Sequence, residues 1–500
     1  MKGKIIVENI SIYALFFLTC IFIFLPSPFA PGGKSLVWMD SSVFVYVAQQ
    51  ILDGDIVYKD IADHKGPFLY AILASALFLF KGEWIGIWIF EIVSLFATSV
   101  IFYKTARLFA GKKISTLSVM TSILFLIPLM IGGELYPRGN LTEEWALPYI
   151  AIAQYIFIRR LKDDKKFTII QLLILSLTFV LTFMLRANLV ALWVGYGIIV
   201  IWRWISMKRF KEMITNISFI LLFIVLSVLP FFLYFHINDA LSDALYWVFK
   251  FNISEYASPS IFTLIGHAIK LLIGVRSFVF LLPLFTFLYF LIENKKILSA
   301  GVLSSLIVTI ISCSQGYSFE HYFIIFAPIL LIVSIYFYLL SAAKIRNRKY
   351  IGLSIIILFL CFSNATQNIY DQIRDIYYNY SGKEYSSTPF TQKDRDFLVE
   401  KINEYSLPSD KILIRGYGVS TYLYSKRKAA TRFIFPIAGS SLVEEHYLKD
   451  IERLKPKLII QGKLVHSHWG HIDASDVLNN QYEKLPIGRT DVEIWLLKDE

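Results

Sequence analysis

The sequence predicts a polytopic α-helical membrane protein, with about 11–13 transmembrane helices, followed by a C-terminal extracytoplasmic α/β domain. Of its 500 residues, 56% are hydrophobic and 17% are charged, whereas soluble globular domains carry about 25% charged residues. Long apolar runs recur through residues 1–368, and strand-like patterns begin only after them. This composition excludes an ordinary soluble enzyme, a disordered chain and a disulfide scaffold.

Eleven apolar runs are candidate transmembrane helices, because a bilayer core needs about 20 mostly apolar residues per helix. They cover residues 10–25, 84–102, 114–131, 145–158, 167–185, 189–202, 217–235, 278–291, 297–313, 322–340 and 350–362. Segments 67–80 and 261–274 are either short spans or helices in the membrane interface. A signal peptide is the alternative for the first run, but its length and the loop after it favour a span.

Lys and Arg gather in a subset of the loops between these runs. The basic loops are residues 104–113, 159–166, 203–211, 295–296 and 344–349. Short loops rich in Lys and Arg stay in the cytoplasm. We therefore predict that the N-terminus is cytoplasmic and that segments 67–80 and 261–274 do not cross the membrane. The outer side then holds loops 27–66, 132–144, 236–260 and 314–321 and the C-terminal tail.

The tail, residues 369–500, is predicted to form a soluble extracytoplasmic domain that follows the transmembrane module of residues 1–368. Strand-like runs cover residues 411–415, 432–435, 458–461 and 492–497, and an amphipathic helix pattern covers residues 442–454. Strands that alternate with helical patterns are typical of a small α/β domain.

The first outer loop, residues 27–66, is dense in charged side chains. It carries Asp40, Asp53, Asp55, Lys59, Asp60, Asp63, His64 and Lys65. Val43, Val47 and Ile51 recur every four positions, which predicts a helix along the membrane surface. Asp40 stands at the start of that helix, either as its N-cap or as a functional acid.

The other outer loops supply further polar groups on the same side. They include Glu134, Arg138, Asn140, Glu143, Glu144, Arg186, Asn188, Tyr317, Glu320 and His321. Acids, arginines, a lysine and histidines together suit an acidic general base beside a cationic phosphate clamp.

These loops resemble those of the GT-C membrane glycosyltransferases, which include protein O-mannosyltransferases, oligosaccharyltransferases and lipid A aminoarabinose transferases. An early acid is followed by an amphipathic helix and by Gly54, Tyr58, Asp60, His64, Lys65, Gly66 and Pro67. Arg138 and Glu143 are similar to the arginine and acid that precede a span in that family. One departure is Asp40-Ser41, where many members have Asp-Glu.

The resemblance implies an inverting glycosyltransferase that takes its sugar from a bacterial polyprenyl-phosphate donor. Asp40 would be the general base. The donor phosphate would be bound by Lys65, His64, Arg138 and Arg186, and the substrates would also contact Asp63, Glu143 and His321. A divalent metal ion stays an open question, because some GT-C families need one and others do not.

The expected setting is the bacterial cell membrane, crossed many times, since Ile, Lys and Asn are frequent in the chain. The expected partners are the polyprenyl-phosphate-linked sugar, membrane lipid and a glycan, lipid or protein acceptor such as a cell-wall polymer, with no nucleic acid.

Two other functions stay open on the sequence alone. A transporter or flippase of lipid-linked saccharides should carry ionisable residues at mid-membrane and broken helices in symmetric positions; Glu91 is the clear acid deep in a predicted span, and no repeat is visible. A non-catalytic membrane scaffold is the second alternative.

Overall fold

The structure, a computed structural model, is mainly helical. It describes residues 2–37, 39–126, 139–256, 260, 262–263, 265–267, 296–314, 320–344, 369–383, 391–415, 418–435, 441–462 and 474–498. Arg138 and the predicted spans 278–291 and 350–362 lie outside the described residues.

Long helices make up most of the first 344 residues, as the apolar runs predict. They are α1 (Lys2–Phe24), α2 (Met39–Leu52), α3 (Pro67–Leu79), α4 (Ile85–Ala106), α5 (Lys112–Leu124), α6 (Thr142–Asp163), α7 (Ile169–Phe183), α8 (Ala191–Ser206), α9 (Phe210–Ile237), α10 (Lys296–Cys313) and α11 (Ala327–Lys344). Short helical turns, written by range alone, are Ala187–Val190, Leu241–Leu245, Tyr246–Phe251, Asn252–Tyr256 and Glu320–Phe326.

Within the described part of the chain, four helical stretches are long and apolar enough to cross a membrane. They are Ile85–Ala106, Ala187–Ser206, Phe210–Ile237 and His321–Leu339. Shorter apolar helices are Glu8–Phe24, Pro67–Leu79, Ile169–Phe183 and Ile297–Cys313. The apolar runs that lie within the described residues are therefore confirmed as helices, while the number of crossings and their direction stay predictions.

Helices α8 and α10 approach each other closely at a glycine. A Cβ atom on Gly195 would lie 2.3 Å from the Cα atom of Ser305, and Ser305 is fully buried. Small residues at such a crossing let two helix backbones come together. Gly197, two positions further along α8, has no atom within 4 Å of the place its Cβ would take.

The C-terminal part of the chain forms a five-stranded mixed sheet with helices. Its elements are α12 (Gln392–Tyr405), β1 (Lys411–Arg415), α13 (Ser420–Ser425), β2 (Lys428–Ala429), α14 (Ser441–Leu454), β3 (Leu458–Gly462), α15 (Ser475–Gln481), β4 (Tyr482–Lys484) and β5 (Val492–Leu497). The strand order is β2-β1-β3-β5-β4; β1 pairs in parallel with β2 and β3, and β5 runs antiparallel to β3 and β4.

The predicted strands at 411–415, 458–461 and 492–497 and the predicted helix at 442–454 are confirmed. The apolar runs of β1 and β3 are buried along their length, as expected of central strands covered on both faces. The predicted strand at residues 432–435 is wrong. The short strand β2 takes the sheet edge a few residues earlier, and Arg432 leaves the sheet to meet the first outer loop, where its carbonyl accepts a hydrogen bond from Ala62 N at 2.9 Å.

This domain packs on helix α2 and holds it in place. The Tyr46 hydroxyl accepts a hydrogen bond from Ala429 N at 2.8 Å, and the Tyr424 hydroxyl accepts one from Val37 N at 3.0 Å. Residues 43–48 are all buried. The helix predicted after Asp40 is confirmed, but it does not lie as a surface helix with one open face, because α3 and the C-terminal domain both cover it.

The start of the first outer loop is fastened separately. A helix over residues 369–381 presents Asn379, whose amide donates to the carbonyls of Leu25 and Ser27, both at 3.0 Å, and accepts from Ser35 N at 2.9 Å. The Asn379 side chain is fully buried. One amide therefore holds both sides of the turn that leads from α1 into the loop.

Gly195→Ala should destabilise the helical part by about 1–3 kcal/mol, since the added methyl group forces α8 and α10 apart. We expect a lower midpoint of thermal unfolding in detergent. Gly197→Ala is the matched control on the same helix; it should leave the midpoint unchanged or raise it, because Ala is the better helix former by about 1 kcal/mol. Equal midpoints for the two variants would contradict the close helix crossing.

Candidate functional site

The structure brings Asp40 and Lys65, at opposite ends of the charged loop, close together. The distance between Asp40 Oδ2 and Lys65 Nζ is 3.9 Å, and the Asp40 side chain is 59% exposed. Helix α2 begins at Met39, so Asp40 lies inside its first turn and the N-cap interpretation is wrong. Its carboxylate is still at the end of the helix that favours negative charge.

Lys65 is placed by the glycine that follows it. Gly66 N donates to the carbonyl of Leu185 at 3.0 Å, and a Cβ atom on Gly66 would lie 2.0 Å from the Met184 carbonyl oxygen. Only glycine permits this approach, which ties the end of the loop to the end of α7. Pro67 then opens α3, a position that suits its fixed φ.

His64 acts as the neutral neighbour of Lys65. Its Nε2 lies 2.8 Å from Lys65 Nζ, and because an ammonium group only donates, Nε2 must accept. Burial holds the pKa of His64 well below its usual range, and the charges of Lys65 and Arg186 lower it further. The imidazole is therefore uncharged near pH 7.

Asp63 stabilises the end of the loop through buried hydrogen bonds. Its carboxylate accepts hydrogen bonds from the Tyr70 hydroxyl and from His64 N at 2.6 Å, and Oδ1 lies 3.4 Å from His64 Nδ1. Burial raises the pKa of Asp63, although the positive charge of Lys65 opposes that shift. The side chain is 1% exposed, so it lies beneath the surface of the site.

Arg186 forms a part-buried contact with the second outer loop. Its guanidinium donates to Glu143 Oε1 at 2.9 Å and to the Tyr322 hydroxyl at 2.6 Å, and it stacks 4.5 Å from the centre of the Tyr322 ring. The Glu143 side chain is 1% exposed. A planar guanidinium can make both bonds and the stacking contact at once, which a lysine cannot.

His321, next to Tyr322, completes the cluster. It lies within electrostatic range of Glu143, Arg186, Asp40 and Lys65. The structure thus gathers the sequence-predicted residues Asp40, Asp63, His64, Lys65, Glu143, Arg186 and His321 from loops far apart in the chain. Arg138 cannot be placed, because it lies outside the described residues.

Asn140 joins the second outer loop to the helix that carries Asp40. Its Nδ2 donates to Ser41 Oγ at 2.9 Å, and its Oδ1 accepts from Trp145 Nε1 at 3.0 Å. Its backbone is left-handed, with φ of 59°, and Asn140 and Ser41 are fully buried. The bond to Ser41 therefore fixes the first turn of α2 beside Asp40.

Sequence reasoning assigned no site role to Tyr70, Asn140, Asn252 or Tyr322. Asn252, for example, donates from its amide to the His64 carbonyl at 2.9 Å. The available signal was local: Asn140 and Tyr322 adjoin residues that were singled out. Nothing in one sequence indicates that Tyr70 or Asn252 reaches the first loop.

The carboxylates of the site that the structure describes are not grouped as a metal centre requires. Across the described ranges, no group of three or more His, Cys, Asp and Glu side chains is arranged to hold a metal ion. Asp40 faces Lys65, Asp63 faces Tyr70 and Glu143 faces Arg186. Residues with these partners do not fit a resident divalent cation, which prefers several unshared oxygen ligands.

Comparison with solved structures identifies the fold. The chain is similar to ArnT from Cupriavidus metallidurans bound to undecaprenyl phosphate, with 9% identity, a TM-score of 0.60, and 99% of this chain and 98% of that chain covered. For apo ArnT the identity is 10%, the TM-score is 0.59, and 98% of each chain is covered. The archaeal oligosaccharyltransferase AglB from Archaeoglobus fulgidus matches at 14% identity, with a TM-score of 0.49 and 98% and 74% covered.

The fold of this chain is therefore similar to that of ArnT, as the resemblance predicted. No protein-family model matches the sequence, and a search of curated proteins also finds no match. At identities this low, the structural similarity establishes the fold alone. The activity has to be inferred from the residues of the site.

Asn140→Gly should lower stability, because it leaves Trp145 Nε1 without its acceptor at a cost of about 1–3 kcal/mol. Glycine accepts the left-handed backbone, so the loss reports the amide alone. Asp239→Gly is the control, since Asp239 is exposed and has φ of 52°. We expect a lower thermal midpoint for the first variant and an unchanged or higher one for the second; similar shifts would contradict the role of the amide.

Proposed function

We propose that this protein is an integral membrane glycosyltransferase that moves a sugar from a polyprenyl-phosphate donor to an acceptor hydroxyl on the outer face of the membrane. The observation that carries the proposal is the 3.9 Å approach of Asp40 to Lys65. It places an exposed carboxylate beside the ammonium group of a lysine whose side chain is 10% exposed, as a base and a phosphate contact require. The fold shared with ArnT, which was crystallised with undecaprenyl phosphate, supports the choice of donor.

The proposed reaction is a single displacement. The Asp40 carboxylate takes the proton from the acceptor hydroxyl, and that oxygen forms a bond to the anomeric carbon of the donor sugar. The bond from the anomeric carbon to the phosphate oxygen breaks, and its electron pair leaves with the polyprenyl phosphate. Attack from the side opposite the leaving group inverts the anomeric configuration.

Lys65 would stabilise the charge that develops on the leaving phosphate. A hydrogen bond from an ammonium group to phosphate is stronger than a bond between neutral groups. His64 would orient Lys65, because its neutral imidazole accepts a hydrogen bond from Lys65 Nζ at Nε2. A neutral acceptor leaves the positive charge of Lys65 uncompensated. The positive charge of Arg186 is largely compensated by Glu143. We therefore assign Arg186, together with His321, to the wall of the phosphate site.

Arg138 remains a proposed phosphate ligand on the resemblance alone. A divalent ion has no part in the proposed steps, because Asp40, Asp63 and Glu143 already have cationic or hydroxyl partners. Acceptors that fit the proposal are cell-wall polymers, glycolipids and surface proteins, all of which present hydroxyl groups outside the membrane.

Transport of lipid-linked saccharides is the rival function. The residue that would support a transport function is Glu91, the acid within a span. That side chain is fully buried, accepts a hydrogen bond from the Ser27 hydroxyl at 3.3 Å and packs against Gly139. A carboxyl group enclosed in this way favours a role in packing over a role in a substrate path.

Asp40→Asn should lower sugar transfer by about 10²–10⁴-fold, the contribution of a general base. The amide keeps the size of the side chain but cannot take a proton. The measurement is incorporation of radiolabelled sugar from polyprenyl phosphates, with the inverted product identified by NMR. Asp239→Asn removes an exposed outer-loop acid and should leave transfer unchanged; full activity of Asp40→Asn would remove Asp40 from the mechanism.

Lys65→Gln should weaken binding of the leaving group. Loss of a charged hydrogen bond costs about 1.5–3 kcal/mol, so we expect the Kd for undecaprenyl phosphate to rise about 10–100-fold. Lys59→Gln is the control in the same loop: its ammonium group is exposed and donates to the Asn238 carbonyl. Equal Kd values for the two variants would contradict the phosphate role of Lys65.

A further inference from the structure

An apolar groove lies where helices α7, α8 and α9 meet. Its volume is about 210 Å³, and among the described residues that line it no side chain is charged. The lining includes Leu172 of α7, Gly197 and Ile201 of α8 and Ile220 of α9. The residues gathered in the candidate functional site do not contribute to it.

Two tryptophans of α8 mark the ends of the groove. Trp193 Nε1 donates a hydrogen bond to the Leu175 carbonyl of α7 at 3.2 Å, and Trp204 packs edge-on against Phe167 with ring centres 6.1 Å apart. The two tryptophans are about 16 Å apart along the axis of α8. One leaflet of the bilayer core is about 15 Å thick, so the groove is as long as one leaflet is thick.

The groove is open along its side. Val194 and Ile201 line it and are 45% and 40% exposed, and a Cβ atom on Gly197, which lies between them, would have no atom within 4 Å. The Ser176 hydroxyl in the wall donates to the Ile220 carbonyl at 3.3 Å. Apolar cavities of about 150 Å³ stay free of water and bind apolar ligands. The ligand that fits this groove is therefore a hydrocarbon chain, which membrane lipids supply.

Two basic loops meet at one end of the groove. They are residues 159–166 and 203–211, which together carry nine basic and two acidic side chains. Asp164 of the first loop joins them, because its Oδ1 lies 2.7 Å from Arg203 Nη2 and 3.5 Å from Arg209 Nη1 of the second loop. Phe167 follows the first loop, Trp204 belongs to the second, and both line the groove. The two loops therefore border this end of it.

The loops present lysines to the solvent beside the arginines that Asp164 compensates. Arg160 donates to Gln171 and Lys162 to the Leu108 carbonyl, whereas four lysines are exposed: Lys165, Lys166, Lys208 and Lys211. Positive charge by itself indicates only on which side of the membrane a loop lies. Here it adjoins an apolar groove, and basic pockets between membrane helices bind anionic lipid headgroups. The two features together match the two parts of an anionic phospholipid.

The groove is separate from the proposed donor site. Gly66 N donates to the Leu185 carbonyl just beyond the C-terminal end of α7, whereas the first basic loop adjoins the N-terminal end of that helix. Helix α7 has 15 residues, so its ends are about 22 Å apart. One phosphate group cannot contact Lys65 and the basic loops at once.

We propose that this groove binds one acyl chain of an anionic phospholipid, and that the exposed lysines of loops 159–166 and 203–211 contact its headgroup phosphate. The charge of the loops selects an anionic over a zwitterionic lipid, and the apolar wall selects a lipid over a soluble anion. In the predicted orientation this lipid belongs to the cytoplasmic leaflet. It is neither the sugar donor nor the acceptor, so the proposal does not depend on the transferase activity.

The direct test is photolabelling of the full-length protein in phosphatidylcholine nanodiscs that contain phosphatidylglycerol with a diazirine in one acyl chain. We expect label on the peptides that contain residues 172–179, 194–201 and 217–224. Unlabelled phosphatidylglycerol should compete, and undecaprenyl phosphate should not. A phosphatidylcholine probe with the same diazirine should show no enrichment on these peptides. Equal labelling by the two probes, label elsewhere, or equal competition by undecaprenyl phosphate would overturn the assignment.

Ile201→Trp tests the apolar part of the site by filling the groove. Ile198→Trp is the matched control, because Ile198 is 50% exposed on the same helix and lies outside the lining. Ile201→Trp should reduce labelling of the groove peptides by the phosphatidylglycerol probe several-fold, and Ile198→Trp should leave it unchanged. Equal labelling of the two variants would contradict binding of the chain in the groove.

The double variant Lys165→Gln with Lys166→Gln tests the headgroup contact. Both lysines are exposed, so the variant keeps the core intact. Labelling by the phosphatidylglycerol probe should fall about tenfold, while labelling by the phosphatidylcholine probe should not change. Lys104→Gln with Lys113→Gln removes the same charge from another basic loop, also at exposed positions, and should have no effect. Unchanged labelling in the first double variant, or an equal fall in the second, would overturn the assignment.

Discussion

The first outer loop is held in place from several sides, and the geometry of the site depends on that restraint. Asn379 fastens the start of the loop, the C-terminal domain covers α2 in its middle, and Gly66 ties its end to α7. The ion pair of Asp40 and Lys65 could not do this alone. At 3.9 Å and with Asp40 mostly exposed, such a pair contributes only about 0–1 kcal/mol.

Burial divides the charged residues into two groups with different uses. Glu143 and Arg186 form a pair in which the acid is almost fully buried, and removing one partner of such a pair costs about 3–5 kcal/mol. They are suited to building a rigid wall. Asp40 remains exposed, with room for a substrate, and Lys65 lies beside a neutral imidazole. Preorganised charge next to an open carboxylate is what the proposed transfer needs.

The C-terminal domain matters for the proposed chemistry because it holds the helix that carries Asp40. Its contacts at Tyr46 and Tyr424 hold α2, and hence Asp40, in a fixed orientation.

The sequence by itself determined the parts of this protein that depend on local patterns. Long apolar runs predicted the helices, and short strand-like runs predicted strands β1, β3 and β5. The charged loops pointed to Asp40, Lys65 and Arg186, because composition and charge are properties of neighbouring residues. Contacts between distant segments were decided only by the tertiary structure. Residues 432–435 leave the sheet to meet Ala62, α2 is covered on two sides, and Asn140, Tyr322 and Asn252 reach the site from other elements. Each of these outcomes depends on which surfaces pack together, and a single sequence does not encode that in its local pattern.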